Sequence, residues 1–470
     1  MSTIESVNPA TEAVLARFET HSGTDIEAAL AQANAAFRRW RDVPIADRAV
    51  PMRALARILR ERRERYGRFI TLEMGKPITE SLAEIEKCAW SCDFYAEHAE
   101  SFLRDEPVAT NARESFIAFE PLGVILAVMP WNFPFWQVIR FLAPAFMAGN
   151  AAILKHASNV PQCALAVEEA VRDAGFPAGL LRTLLVPGAA IEPVIADDRV
   201  RAVTLTGSTA TGSRIAELAG RAVKKAVLEL GGSDPFIVLR DADLVGAAET
   251  AVRARFQNAG QSCIAAKRFL VETPVAAEFE RRFADAIRTL RVGDPLDPAT
   301  QVGPLARADL RDALEKQVAD SVAMGARVVV GGTRSAGPDG KGWFYSPTLL
   351  ADVTEDMPVL KDETFGPVAA LLAVRDADDA VRVANSSPYG LGAALWTKND
   401  ATAKALARRI ESGSVFINGM VASDPRLPFG GVKKSGYGRE LSSFGIREFV
   451  NIQTIWMGPA TAASVVPNDE

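Results

Sequence analysis

From residue 123 onward the apolar positions fall into short β-branched runs separated by longer amphipathic stretches. The run 124–129 is continuously apolar and stops at Pro130, which predicts a buried strand. A nearly all-apolar helix is predicted over 134–147, then a strand over 151–155, a helix over 160–174 and a strand over 182–186. A strand over 200–206 leads through Gly207 and Ser208 into a helix ending near 220, and a strand over 224–230 closes the series. Strands alternating with helices in this way predict an α/β chain with a doubly wound parallel sheet, whose ligands sit at the carboxyl ends of the strands. A second α/β unit begins near 233. Its predicted helices cover 244–257, 275–290 and 307–324, and its strands lie at 268–272, 328–330, 368–374 and 392–397. The segment 293–304 reads as a turn-rich connector and 335–342 as a polar Gly/Pro loop. Two alternating runs, 115–120 and 451–456, belong to neither unit. An isolated strand has to pair, either within the chain or with another subunit. Residues 463–470 are small and polar and are expected to form a flexible tail.

The 470 residues are enough for two or three domains. A net charge of -5 argues against nucleic acid or an anionic membrane as the main partner. The first twelve residues have no basic region followed by an apolar core, and no stretch is long and uncharged enough to span a bilayer, so a cytoplasmic protein is expected. Four Cys make no disulfide framework, and three scattered His give no zinc-ligand spacing. No metal site is therefore expected.

Several residues can carry chemistry. Cys263 ends Phe256-Gln257-Asn258-Ala259-Gly260-Gln261-Ser262-Cys263, a segment of small residues and amides just after a helix. Backbone N–H groups there suit a nucleophilic thiolate, although a buried structural thiol is the commoner use of a Cys. Glu229 closes an apolar strand before Gly231-Gly232, where desolvation favours a general base; pairing with an Arg is the alternative. Asn132, at the end of a strand, suits either an oxyanion donor or a helix N-cap. The turn 206–212 offers N–H groups and hydroxyls for phosphate oxygens but is neither G-x-G-x-x-G nor a P-loop. Lys155 ends a strand on the same sheet edge. Arg140 is the one charge in an apolar helix and needs an anion, either a carboxylate of the chain or one carried by a ligand. Trp136 lies one turn before it on the same face.

Taken together, PWNFP at 130–134, LTGS at 205–208, LELGG at 228–232, F-x-N-x-G-Q-x-C at 256–263 and ETFGP at 363–367 resemble the aldehyde dehydrogenase superfamily over nearly the whole chain. The runs LEMGKPITES, WNFPFWQVIRF, KHASN, GGSDPFIVL and FGGVKKSGYGRE are similar to its succinate-semialdehyde dehydrogenase branch. The resemblance implies a nucleotide-binding domain (1–109 and 127–232), a catalytic domain (233–425) and oligomerisation strands (110–126 and 445–462) that make homodimers or homotetramers. It implies Cys263 as nucleophile, Glu229 as general base and Asn132 with the Cys263 N–H as oxyanion hole. Trp131, Lys155, Ser158, Gly207, Ser208, Leu230, Glu363 and Phe365 are the implied cofactor contacts. Arg140, Trp136 and Ser423 are the implied contacts to a carboxylate-bearing aldehyde. Many NAD-specific relatives have a Glu three residues after the ribose-binding Lys. Here that position is Ser158, so NADP is expected to be preferred, with NAD possible. Residues 264–267 contain no second Cys, so the inhibitory disulfide of some branch members is not expected.

Two competing functions fit the same frame. A CoA-acylating semialdehyde dehydrogenase has no need of a water-activating base, and Glu229 argues against it. A non-catalytic structural protein on this fold is expected to lose catalytic residues, yet Cys263, Glu229 and Asn132 are all present.

Overall fold

A computed structural model describes residues 3–337 and 339–459. Strands β1 (Thr3–Val7) and β2 (Val14–Glu19) form a hairpin. Four helices follow: α1 (Gly23–Trp40), α2 (Ile45–Glu61), α3 (Arg63–Met74) and α4 (Ile78–Phe102). Helix α1 starts where Ser22 and Asp25 cap each other reciprocally. Strand β3 (Ala112–Pro121) precedes the predicted alternation, which runs β4 (Val124–Met129), α5 (Trp136–Met147), β5 (Ala151–His156), α6 (Pro161–Asp173), β6 (Leu181–Thr183), β7 (Val200–Thr206), α7 (Thr209–Arg221) and β8 (Lys225–Glu229). The five strands lie parallel in the order β8-β7-β4-β5-β6, and Gly436–Tyr437 adds an antiparallel edge beside β8. From β4 the chain moves outward to β5 and β6, then crosses back to β7. The order therefore reverses between β4 and β7, and a crevice opens beyond their carboxyl ends.

The second sheet contains β9 (Asp234–Val238), β10 (Ala266–Glu272), β11 (Arg327–Val330), β12 (Thr348–Ala351), β13 (Val368–Val374), β14 (Gly392–Trp396) and β15 (Ser414–Ile417). Their order is β11-β12-β13-β10-β9-β14-β15, parallel except at β11. Helices α8 (Leu244–Phe256), α9 (Thr273–Arg288), α10 (Ala308–Ala323), α11 (Ala377–Asn385) and α12 (Asp400–Ala407) connect these strands. Each sheet has its own apolar cores. Among the described residues no helix is long and apolar enough to cross a membrane, and no cluster of His, Cys, Asp or Glu has the make-up of a metal site.

Two differences from the pattern-based expectation have physical causes. Strand β9 sits in the middle of its sheet although it carries Pro235. The missing N–H falls where the register with β10 shifts, at the strand's first residues. Strand β6 is shorter than 182–186, yet the Leu184 N–H still donates to Leu154 O at 2.8 Å. Of the two pairings open to the orphan runs, the one within the chain is seen: β3 and β16 (Val450–Pro459) form an antiparallel ladder from Val450↔Pro121 to Pro459↔Ala112. The tail 463–470 lies outside the described residues.

Helix α5 begins at Trp136, two residues later than expected, and Asn132 is not its cap. Glu84 of α4 accepts from the N–H groups of Phe135 and Trp136, both at 2.9 Å, and its other oxygen holds the ammonium of buried Lys76. One carboxylate thus satisfies two helix-end donors and one buried charge. Replacing Glu84 by Ala strands all three. A loss of about 3–5 kcal/mol is expected, read as a lower thermal midpoint. Glu84→Gln keeps an acceptor for the N–H groups and should fall between Ala and wild type.

Candidate active site

Helix α8 stops at Phe256, and the chain then takes three left-handed residues in succession: Asn258 (φ 53°), Ala259 (φ 51°) and Gly260 (φ 72°). Two of these carry a Cβ, which makes the turn costly and dependent on its surroundings. At Gly260 a Cβ would collide with the carbonyl of Gly366, so glycine is required there. The turn redirects the chain so that Cys263 faces a cavity walled by α4, α5, α8 and the loop 420–423.

Five side chains hold this turn, all of them buried except the half-buried Glu80. Glu80 accepts from the Asn258 N–H at 2.8 Å. Asn258 Nδ2 donates to Asn132 O at 2.8 Å, and Asn132 Nδ2 donates to Gln261 O at 3.1 Å. The buried Arg255 guanidinium donates to the carbonyls of Gly260, Ala266, Thr364 and Gly366. It thereby ties the Cys263 loop to the segment 363–367. Lys267 donates to Ser262 O at 2.9 Å and Cys263 O at 2.7 Å, and its ammonium lies 3.7 Å from Glu363. The glycines of the 228–232 segment complete the fit. A Cβ on Gly232 would lie 2.6 Å from Cys263 O, and one on Gly231 would lie 2.5 Å from the Glu363 carboxylate. The Gly232 N–H donates to Glu363 Oε1 at 3.0 Å.

The electrostatics are those of a dry site. Burial pushes the Cys263 thiol up to about 12, against weaker downward pulls from Arg140 and Lys267. Glu229 is 2% exposed, and neither carboxyl oxygen has a hydrogen-bond partner among the described residues. Burial and then the neighbouring Glu440 raise its pKa well above the usual carboxylate range, while Arg140 pulls it down. Arg140 itself forms a buried ion pair with Glu440, donates to Thr206 Oγ1 at 3.2 Å and stacks over Phe429 with 4.7 Å to the ring centre. The anion that this helical charge demands is therefore Glu440, which lies inside the FGGVKKSGYGRE run.

The sequence-predicted residues form two groups. Cys263, Arg140, Trp136 and Ser423 line one cavity of about 340 Å³. The others gather at the strand ends. Trp131 follows β4 and meets Phe365 edge-to-face at 5.8 Å. The Gly207 N–H donates to Glu229 O at 3.0 Å, and Ser208 caps α7. Leu230 packs where a Cβ on Gly212 would collide with it. Lys155 is half-buried, with its pKa lowered by burial, and Ser158 is exposed beyond the end of β5. Sequence reasoning missed Glu80, Arg255, Lys267 and Glu440, and also Lys87, whose ammonium donates to Ser423 Oγ at 2.7 Å. The available signal was charge placed inside otherwise apolar segments beside the motifs.

Because Cys263 is a thiol across the neutral range, its alkylation in the ligand-free protein should be slow at pH 7. The rate should still rise about tenfold per pH unit at pH 9, since only the thiolate reacts. Peptide mapping of carbamidomethylated protein reads this, with Cys88, Cys92 and Cys163 shielded by full burial. A plateau near pH 8 contradicts the strong desolvation.

The Aldehyde dehydrogenase family model matches residues 1–455. The chain is 52% identical over 454 residues to a probable succinate-semialdehyde dehydrogenase [NADP(+)] of Synechocystis sp., covering 97% of this chain and 99% of that one. It is 49% identical to the succinate semialdehyde dehydrogenase [NAD(P)+] Sad of Escherichia coli, covering 96% and 97%. Among solved structures, succinic semialdehyde dehydrogenase from Streptococcus pyogenes in complex with NADP+ superposes with a TM-score of 0.94 at 40% identity, covering 97% of this chain and all of that one. On its fold, its motifs and these likenesses, the chain belongs to the aldehyde dehydrogenase family.

Proposed function

We propose that this protein oxidises succinate semialdehyde, or a similar aldehyde with a distal carboxylate, to the acid, with NADP as preferred oxidant and NAD as a second. The observation that carries this reading is the single cavity that joins the Cys263 thiol to a wall of Arg140, Trp136 and Ser423. The names of its relatives support the substrate and the cofactor.

The residues at the strand ends fit a dinucleotide. The crevice lies at the switch between β4 and β7, the N-terminus of α7 opens onto it, and Lys155 stands beside it without a carboxylate at position 158. Trp131, Lys155, Ser158, Gly207, Ser208, Leu230, Glu363 and Phe365 are the proposed contacts. A bound nicotinamide supplies the hydride acceptor. The chain supplies the rest. Cys263 loses its proton and attacks the aldehyde carbon. The oxygen takes up negative charge, which the second N–H of the Asn132 amide and the Cys263 N–H stabilise. Loss of hydride from the thiohemiacetal leaves a thioester on Cys263. Glu229 takes a proton from water, and the hydroxide displaces the thiolate. The high proton affinity of buried Glu229 suits both removal of the thiol proton and activation of water.

Residues 1–109 and 127–232 are the proposed cofactor domain and 233–425 the catalytic domain. Segments 110–126 and 445–462 are proposed to make a homodimer or homotetramer in the cytoplasm. The free edge of β16, with Ile452 63% and Trp456 48% exposed, supports a subunit contact there.

Cys263→Ala should abolish oxidation. Glu229→Gln should release at most one equivalent of NADPH per site, more slowly than wild type, and then turn over about 10²–10⁴-fold more slowly, with a thioester detectable by mass spectrometry. Full turnover in either variant removes that residue from the mechanism. Ser158→Glu should lower kcat/KM for NADP relative to NAD by more than about tenfold, equivalent to about 1.4 kcal/mol. An unchanged ratio means that position 158 does not read the 2′-phosphate.

A further inference from the structure

Lys87 of α4 lines the same cavity as Cys263. Its ammonium donates to Ser423 Oγ at 2.7 Å and lies 4.4 Å from the centre of the Trp136 ring. Among the described residues it has no carboxylate within ion-pair distance. Glu80, two turns earlier on the same cavity wall, accepts from the Asn258 N–H at 2.8 Å, and burial pushes its carboxyl up to about 7. Glu84, one turn earlier on α4, holds Lys76 and the start of α5. Asp424, following the 419–423 loop, pairs with Arg426 at 2.6 Å. Arg140 on α5, the cation facing Lys87, is bound to Glu440. Cys88 is a buried thiol pushed well above its usual range, and so neutral. A half-buried cation on an aromatic ring, with one hydroxyl and no anion, is an incomplete arrangement.

We propose that Lys87, with Ser423, grips the distal carboxylate of the substrate beside Arg140 and is a further determinant of its preference for acid-bearing aldehydes. This rests on the reading of the substrate given above. Arg140 stands on the same wall and shares its charge with Glu440, whose own carboxyl is pushed up by burial. Arg253, exposed at the cavity rim, is hydrated and contributes less. Burial, followed by the repulsion of Arg140, lowers the Lys87 pKa to about 8. The free enzyme therefore carries the charge below pH 8 and loses it above. Because kcat/KM reports the free enzyme, the preference should fade as pH rises.

The measurement is the ratio of kcat/KM for succinate semialdehyde over butanal, which has the same length and no carboxylate. Both substrates share the chemical steps, so the ratio isolates the carboxylate. In Lys87→Met the ratio should fall about 10- to 100-fold, mainly through KM of the acid substrate, and Lys87→Arg should keep most of it. In the wild type the ratio should decline through about pH 8, and in Lys87→Met that step should be missing, leaving only a fall near pH 7 as Glu80 ionises. A wild type that prefers the acid while Lys87→Met keeps the ratio overturns the role of Lys87 and leaves the substrate reading standing. A wild type with no acid preference overturns both. If Lys87→Met does not fold, a wild-type ratio that stays constant from pH 7 to 10 overturns the assignment.

Discussion

The site depends on one costly turn: three consecutive left-handed residues, Asn258 to Gly260, buried between two sheets. A backbone in this shape cannot make a helix or a ladder, so its carbonyls need donors from elsewhere. Arg255 and Lys267 supply them. Arg255 points its charge at carbonyl oxygens of the loop and of the segment 363–367, and Lys267 points its own at carbonyls of the loop, with the Glu363 carboxylate 3.7 Å away. Carbonyl dipoles balance the charge, and the charge fixes the loop. The same two residues therefore hold Cys263 against the cavity and Glu363 against Gly232. Whatever moves one of these groups moves the other.

That coupling explains why glycine recurs at the contact points. Gly232 touches the Cys263 carbonyl, Gly231 touches Glu363, and Gly260 touches Gly366. The second sheet begins only two residues after Gly232, at Asp234. The two sheets thus meet where side chains are absent, and the functional side chains fill the space around that seam. A substitution at any of these glycines acts on the placement of Cys263 before it acts on stability at large.

The strands and helices of the first sheet were legible because each apolar run is short and bounded by Gly or Pro, and because helical periods follow. Strand β9 was not, since Pro235 contradicts a central strand and only the register shift rescues it. The residues with conspicuous chemistry (Cys263, Glu229 and Asn132) were legible from local context and from their motifs. The partner of Arg140 was not, because Glu440 is 300 positions away and only the edge formed by Gly436–Tyr437 beside β8 carries it to the site. Lys87 escaped for a different reason. On α4 its neighbours Glu84 and Glu86 make it look like one member of an ordinary solvated helix pair. Its isolation emerges only when Glu84 is seen capping α5.

The resting state of the site follows from the same burial. Cys263 and Glu229 are both held toward their protonated, neutral forms, and the cations that act most on the thiol, Arg140 and Lys267, stand beside Glu440 and Glu363. A permanently ionised thiolate in such surroundings would need a counter-charge, and these two cations already have carboxylates beside them. On the proposed mechanism the thiolate therefore forms late, when a carbonyl is already near enough to accept its charge and an amide N–H waits for the oxygen. Desolvation then works in both directions. It keeps the free enzyme unreactive toward stray electrophiles, and it makes the same thiolate a stronger nucleophile once it forms, because no water has to be stripped from it.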